Sequence, residues 1–228
     1  MRLLLVGALL VIASQAHSQI TFTDGMFLDA DWTTTVFTLN HPSTGGSSAH
    51  VAAGGNLAEH RSITSLTCSG GGNPCKLMVV EIKPTAQYDP SSQGEIASLS
   101  YAEDQKCASV DGCVGGGQVW LPALQQGGKF YVHTGGNTAI LNAWTSVAAS
   151  GLTAVDFAEV LLTAGGIGDP GSNPDFSGSG SLIQFGYARA NSLSSQRTGR
   201  IDNWSFTVHL PTVAVEEVPW GMVKRSYR

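Results

Sequence analysis

Much of the chain alternates between apolar and polar positions. In Gly199–Leu210, "GRIDNWSFTVHL", Trp204, Phe206, Val208 and Leu210 alternate with Ser205, Thr207 and His209, the period of a strand with one apolar face. Asp202 shares the parity of Trp204, so the pattern predicts that it points inward at the strand's start. "DWTTTVFTL", "EIASLSYA" and "SLIQFGYARA" read as further strands. "KLMVVEIK" is apolar on both faces, as in a strand covered on both sides, and the Glu81 inside it needs a partner or water. "VWLPALQQGGKFYVH" predicts a hairpin, since Gly127-Gly128 suits the positive φ angles of a two-residue turn. That turn sets Gln126 opposite Lys129, Leu124 opposite Tyr131 and Pro122 opposite His133. Trp120, Leu124, Tyr131 and His133 then share one face. Leu121, Ala123, Phe130 and Val132 share the other, whose uniform apolarity suits it better to the core. One stretch breaks the period of two: "LTAVDFAEVLLTAGG" offers Thr153 as an N-cap, Asp156 three residues on and a Gly165-Gly166 stop, predicting a short helix on a sandwich edge. Residues 165–181, "GGIGDPGSNPDFSGSGS", read as a long surface loop.

Composition narrows the class. Twenty-eight glycines, only 13% charged residues and many short strands predict an all-β fold: one β-sandwich domain with a single short helix and long Gly-rich loops. Residues 1–18 read as a secretory signal peptide, with one Arg, an apolar run from Leu3 to Ala13 and a small, polar end. That run is about half of the ~20 residues a membrane-spanning helix needs. The sandwich is expected over residues 19–210 and a tail over 211–228, and export places the protein outside the cell, in the periplasm or on the cell surface. A formal charge of −5 offers no basic surface to nucleic acid or anionic lipid. The four cysteines lie in two close pairs, Cys68 with Cys75 and Cys107 with Cys113, inside turn-rich sequence. In an exported chain the simplest reading is two local disulfides.

"TFTDGMFLDADWTTTVF", "IQFGYARANS" and "GRIDNWSFTV" resemble the first and last strands of secreted bacterial proteins with a concanavalin A-like jelly-roll sandwich. Weaker echoes occur in "AQYDPSSQGEIASLSYAED" and "LPALQQGGKFYV". The resemblance implies a jelly roll and, through lectins and carbohydrate-binding modules of that fold, a sugar-binding role. It also implies a structural calcium where the first and last strands meet, with Asp24 and Asp202 as ligands. The competing reading has Asp202 capping the Thr198–Arg200 turn or pairing with Arg189 or Arg200. The end, "PWGMVKRSYR", resembles short Trp-Gly-x-x-Lys termini of other exported bacterial proteins.

Most catalytic patterns are absent. The Glu-x-Asp-x-x-Glu of concanavalin-like glycanases is not present, nor is Gly-x-Ser-x-Gly or His-Glu-x-x-His. Glu103 and Asp104 are adjacent, so on a strand they point to opposite faces and cannot act together. What remains is binding. Sugars are held by aromatic rings and by amides and carboxylates that bond their hydroxyls, and Trp120, Tyr131, His133 and nearby Gln118 are the candidates if their hairpin face is open rather than core. The leading reading is a non-catalytic sandwich that binds a glycan or another extracellular ligand. The alternatives are a polysaccharide hydrolase or lyase with Glu81 as its acid, and a structural surface protein.

Overall fold

The computed structural model describes residues 18–40, 45–56, 58–65, 75–108, 118–135, 142–191 and 196–212. Among them the strands are β1 (Gln19–Asp24), β2 (Thr33–Leu39), β3 (Gly46–Val51), β4 (His60–Ser65), β5 (Lys76–Tyr88), β6 (Ser98–Cys107), β7 (Val119–Gln126), β8 (Lys129–His133), β9 (Thr145–Leu152), β10 (Phe157–Val160), β11 (Gly168–Asp169), β12 (Ile183–Asn191) and β13 (Arg197–His209). They form two antiparallel sheets, a sandwich. One runs β3-β4-β13-β6-β9 with β1 also on β13, and the other runs β11-β10-β8-β7-β12-β5-β2. The first and last strands are neighbours, paired from Gln19 opposite His209 to Asp24 opposite Trp204.

Between the sheets lies an aromatic core. Trp32 meets Phe27, Tyr187 and Trp204, and Phe206 meets Tyr101, Phe185 and Trp204, with ring centroids 5.0–6.0 Å apart. The apolar parity of β13 read from the sequence is the parity that fills it, with Trp204, Phe206 and Val208 wholly buried.

The seven-stranded sheet has a second apolar cluster on its other face, built from Met78, Val80, Ile82, Leu121, Ala123, Val132, Ala188 and Ala190. It is buried because the sheet curls. Phe37 of β2 and Phe130 of β8 touch at 5.4 Å between ring centroids, although β7, β12 and β5 separate their strands. A flat sheet would hold those two strands about 19 Å apart. The floor of the curl carries Ala123, Gly186, Ala188 and Ala190 in register, and such small side chains leave room for the walls to close. This is why "KLMVVEIK" is apolar on both sides.

Two ion pairs tie the sheets together through the core. Arg61 of β4 donates to Glu81 of β5 at 3.1 Å and to Asp29 at 2.7 Å. Arg189 of β12 donates to Glu103 of β6 at 2.6 Å, both side chains fully buried. Burial pushes the Glu81 and Glu103 carboxyls above the ordinary value, and the neighbouring guanidinium opposes that push. Glu81 thus has the partner its position demanded. Sealed at 0% exposure, it has no route to a substrate, which removes the acid of the hydrolase alternative.

The helix expected over Leu152–Gly165 does not form. The capping box does: the Thr153 N–H and hydroxyl donate to Asp156 at 2.7 and 2.9 Å. It starts only a 3-10 turn, Ala154–Asp156, before Phe157–Val160 joins the edge of β8. Phe157 enters the core there and is wholly buried, so ladder bonds and burial override the local helix signal. The one α-helix among the described residues is a single turn, Pro90–Gln93, capped by Asp89.

Candidate functional site

The hairpin formed with the expected register, Gln126 opposite Lys129 and Leu124 opposite Tyr131, on Gly127 and Gly128 at φ +58° and +80°. Its Trp120 face, however, is the face turned toward the six-stranded sheet. Trp120 is 6% exposed and stacks on Tyr101 of the opposite sheet at 5.9 Å. Tyr131 is 5% exposed and His133 packs on Phe157. Gln118 is fully buried, its amide donating to the carbonyls of Ile63 and Arg197 and to the Ser65 hydroxyl. Trp120 and Gln118 bridge the two sheets and all four residues are buried, so the core alternative describes their surroundings. Both hairpin faces are core because the sheet curls, which no local pattern reveals.

Asp24 and Asp202 lie on opposite faces of the six-stranded sheet. Asp24 has the parity of Ile20 and Phe22, which pack on the core. Its oxygens accept from the Trp32 indole at 2.9 Å, Lys83 at 2.6 Å and the backbone N–H groups of Met26 and Phe27. Burial opposes its charge, but Lys83 and the N–H groups win and hold the carboxyl below the usual range. An ammonium already supplies the positive charge there, and a calcium ion beside it would be repelled. Asp202 does not point inward as its parity with Trp204 predicted. The β13–β6 register slips between Asp202 and Ser205. This bulge, with Asn203 at φ +49°, sets Asp202 opposite outward-facing Asp104 while Trp204 stays in the core. Asp202 then accepts from the backbone N–H groups of Asn56 and Asn203, both at 2.7 Å. Neither the turn cap nor the arginine pairing explains these two bonds. The pair therefore does not fit one calcium ion, and among the described residues no three His, Cys, Asp or Glu side chains gather to hold a metal.

The bulge builds a polar cluster on the outward face. Asp104 accepts from the side-chain amides of Asn203 at 2.6 Å and Asn56 at 2.8 Å, and from the Ser146 hydroxyl. Burial opposes its charge, but these donors prevail and lower its pKa. The loop that delivers Asn56 is tight: a Cβ on Gly55 would lie 2.2 Å from the Glu59 carbonyl and 2.8 Å from Asp202. Over this cluster reaches Trp144, which is half-buried and precedes β9. Its ring meets His60 of β4 edge-on at 6.0 Å, and β4 and β9 are separated by β13 and β6. The indole therefore spans the face. From there the outward positions of β6 run Lys106, Asp104, Ala102, Ser100, Ser98, flanked by Ser205, Thr207 and His209 of β13. The track is about 26 Å long at ~3.3 Å per residue. It ends in an open notch of about 550 Å3 beside Ser150, Leu210 and Pro211, where Ser100 and His209 are hydrogen-bonded at 2.8 Å.

Of these residues the sequence reading singled out Asp104 and Asp202 but not Trp144 or Asn56. The Asp-Asn step before Trp204 was the signal for the bulge, because Asn accepts positive φ more readily than most residues. Glu103 and Asp104 do point to opposite faces, one into the core and one outward.

No family model matches the chain, and no curated protein matches it. Solved structures of similar fold include the family 11 carbohydrate-binding module from Clostridium thermocellum in complex with a β-1,3-1,4-mixed-linked tetrasaccharide, 11% identical over 88% of this chain and 99% of that one, with a TM-score of 0.45. The solution structure of CtCBM11 is 12% identical over 88% of this chain and 100% of that one, with a TM-score of 0.47. A putative sugar binding protein from Bacteroides thetaiotaomicron is 11% identical over 76% of this chain and 87% of that one, with a TM-score of 0.40. Likeness this distant concerns shape alone.

Proposed function

We propose that the protein is an exported, non-catalytic glycan-binding β-sandwich whose ligand lies on the outward face of the six-stranded sheet. One observation carries the reading: Trp144, partly exposed, reaches across a face that carries amides, hydroxyls, the hydrogen-bonded carboxylates Asp104 and Asp202, and the cations Lys106 and Arg200. Sugar chains need an apolar ring face to stack on and polar groups to meet their hydroxyls, and this surface offers both side by side. The length of the β6 track favours an extended chain over a single sugar. The similar solved structures lend this proposal no weight.

Trp144→Ala is expected to weaken retention on an immobilised polysaccharide panel by about thirtyfold, the effect of losing a ~2 kcal/mol aromatic anchor. Its melting temperature should stay near that of the parent, because the ring is partly exposed and belongs to neither apolar core cluster. Retention unchanged by this substitution would move the ligand elsewhere, and release of reducing ends by the parent protein would establish catalysis instead.

Export and the disulfides belong to the same proposal. Cys75 and Cys107 are among the described residues and neither is a free thiol, while Cys68 and Cys113 lie outside the described residues. The signal peptide and the C-terminal tail also lie outside them, apart from Ser18, Pro211 and Thr212. Local pairs Cys68–Cys75 and Cys107–Cys113 would each close a short loop and stabilise the fold by roughly 2–3 kcal/mol. Mass spectrometry of the exported protein without reduction should find an N-terminus at Gln19 and these two bridges. Free thiols, or cross-paired peptides, would overturn the assignment.

A further inference from the structure

Beside Trp144 the outward face carries an unusual pair. Arg200 of β13 and Lys106 of β6 stand directly opposite each other in the ladder, and Ser62 of β4 flanks Arg200 on its other side. The β6–β9 ladder ends at Gln105 opposite Thr145, with Lys106 the next residue on β6 and Trp144 the residue just before Thr145. Like charges held opposite one another across a ladder repel. Five other described basic side chains, His50, Arg61, Lys83, Lys129 and Arg189, face carboxylates, and Lys76 donates to the Gly166 carbonyl. Among the described residues Lys106 and Arg200 face no carboxylate within ion-pair distance. The acids two residues along are engaged otherwise, Asp104 by Ser146, Asn56 and Asn203 and Asp202 by backbone N–H groups. A chain with a formal charge of −5 therefore presents two neighbouring cations at the edge of its aromatic platform.

We infer that the ligand is an acidic glycan, a chain bearing carboxylate or sulfate groups, with one such group received between Lys106 and Arg200 while a ring rests on Trp144. This rests on the glycan-binding reading above and names the chemical class of its ligand. An anion between the two cations removes their repulsion, and a guanidinium suits the planar carboxylate or the oxygens of a sulfate. The protein's net negative charge repels an acidic polymer at long range, so only a local match of this kind holds it.

Calorimetric titration with polygalacturonate, a sulfated galactan and a neutral mixed-linkage glucan tests the inference, using the parent, the K106Q/R200Q variant and Trp144→Ala, each first checked for an unchanged melting curve. The parent is expected to bind at least one acidic polymer about tenfold or more tighter than the neutral one. That preference should vanish in K106Q/R200Q and weaken as salt is raised. The carboxylate and sulfate arms separate the two acids, and tight binding of both makes charge the criterion. Equal binding of the neutral glucan, or full affinity for the acidic polymer in K106Q/R200Q, overturns the acidic ligand while leaving the glycan reading intact. Binding lost in K106Q/R200Q but kept in Trp144→Ala marks a bare charged patch and overturns both readings, as does failure to bind any of the three polymers.

Discussion

Trp120→Ala is expected to lower the unfolding free energy by about 3–5 kcal/mol, the cost of emptying an indole-sized volume in a packed core. The residue is 6% exposed and lies flat against Tyr101 of the facing sheet, so the neighbours cannot close the gap without moving a β-ladder. Urea unfolding measures the loss directly. Glycan affinity of the surviving folded fraction should match that of the parent, since the proposed ligand face lies on the other side of the six-stranded sheet. A stable variant with lost binding would return Trp120 to the role of a platform and remove it from the core.

Arg189→Met should be as damaging, and its damage should depend on pH. Arg189 and Glu103 are both sealed from solvent at 2.6 Å, and the Tyr101 hydroxyl also donates to Glu103. Removing the guanidinium leaves a buried carboxylate without its counter-charge, which costs about 3–5 kcal/mol. Burial already raises the Glu103 pKa and Arg189 restrains the rise, so the variant's folded-state value climbs further above the unfolded one. A raised pKa contributes stability that is present below the unfolded value and lost as pH rises through the folded one. The deficit of Arg189→Met should therefore be small below the unfolded glutamate value of about 4.3 and should grow steadily as pH rises from there toward neutral. The double variant R189M/E103L should recover most of the loss, because apolar residues of similar size replace a buried ion pair at little cost. A deficit independent of pH, or no recovery in the double variant, would show that packing by the arginine stem matters more than charge.

The two buried ion pairs mark the limit of local reading. "KLMVVEIK" announced a strand covered on both faces and a carboxylate in need of a partner, yet that partner, Arg61, comes from the other sheet, and nothing near it in sequence points to Glu81. Thr153 and Asp156 formed their capping box, but a free edge on β8 turned the residues after it into a strand. At the candidate site the alternation of β13 predicted an inward Asp202, and the bulge at Asn203 broke that alternation. Its consequence, a switch of Asp202 to the outward face, depends on which residues of β6 stand opposite.

The sequence by itself determined the all-β class, the hairpin register at Gly127-Gly128, the core parity of β13 and the opposed directions of Glu103 and Asp104. These follow from the period-two geometry of a strand and the φ angles of a turn, which nearest neighbours in the chain impose. The tertiary structure alone decided that Trp120 is core, that Asp24 and Asp202 face away from each other, and that Trp144 crosses the face where Asn56, Asp104 and Asn203 meet. Those facts depend on the curl of one sheet and a bulge in the other. Curl and bulge are set by side chains from strands far apart in sequence, whose contacts exist only once the sheets have assembled.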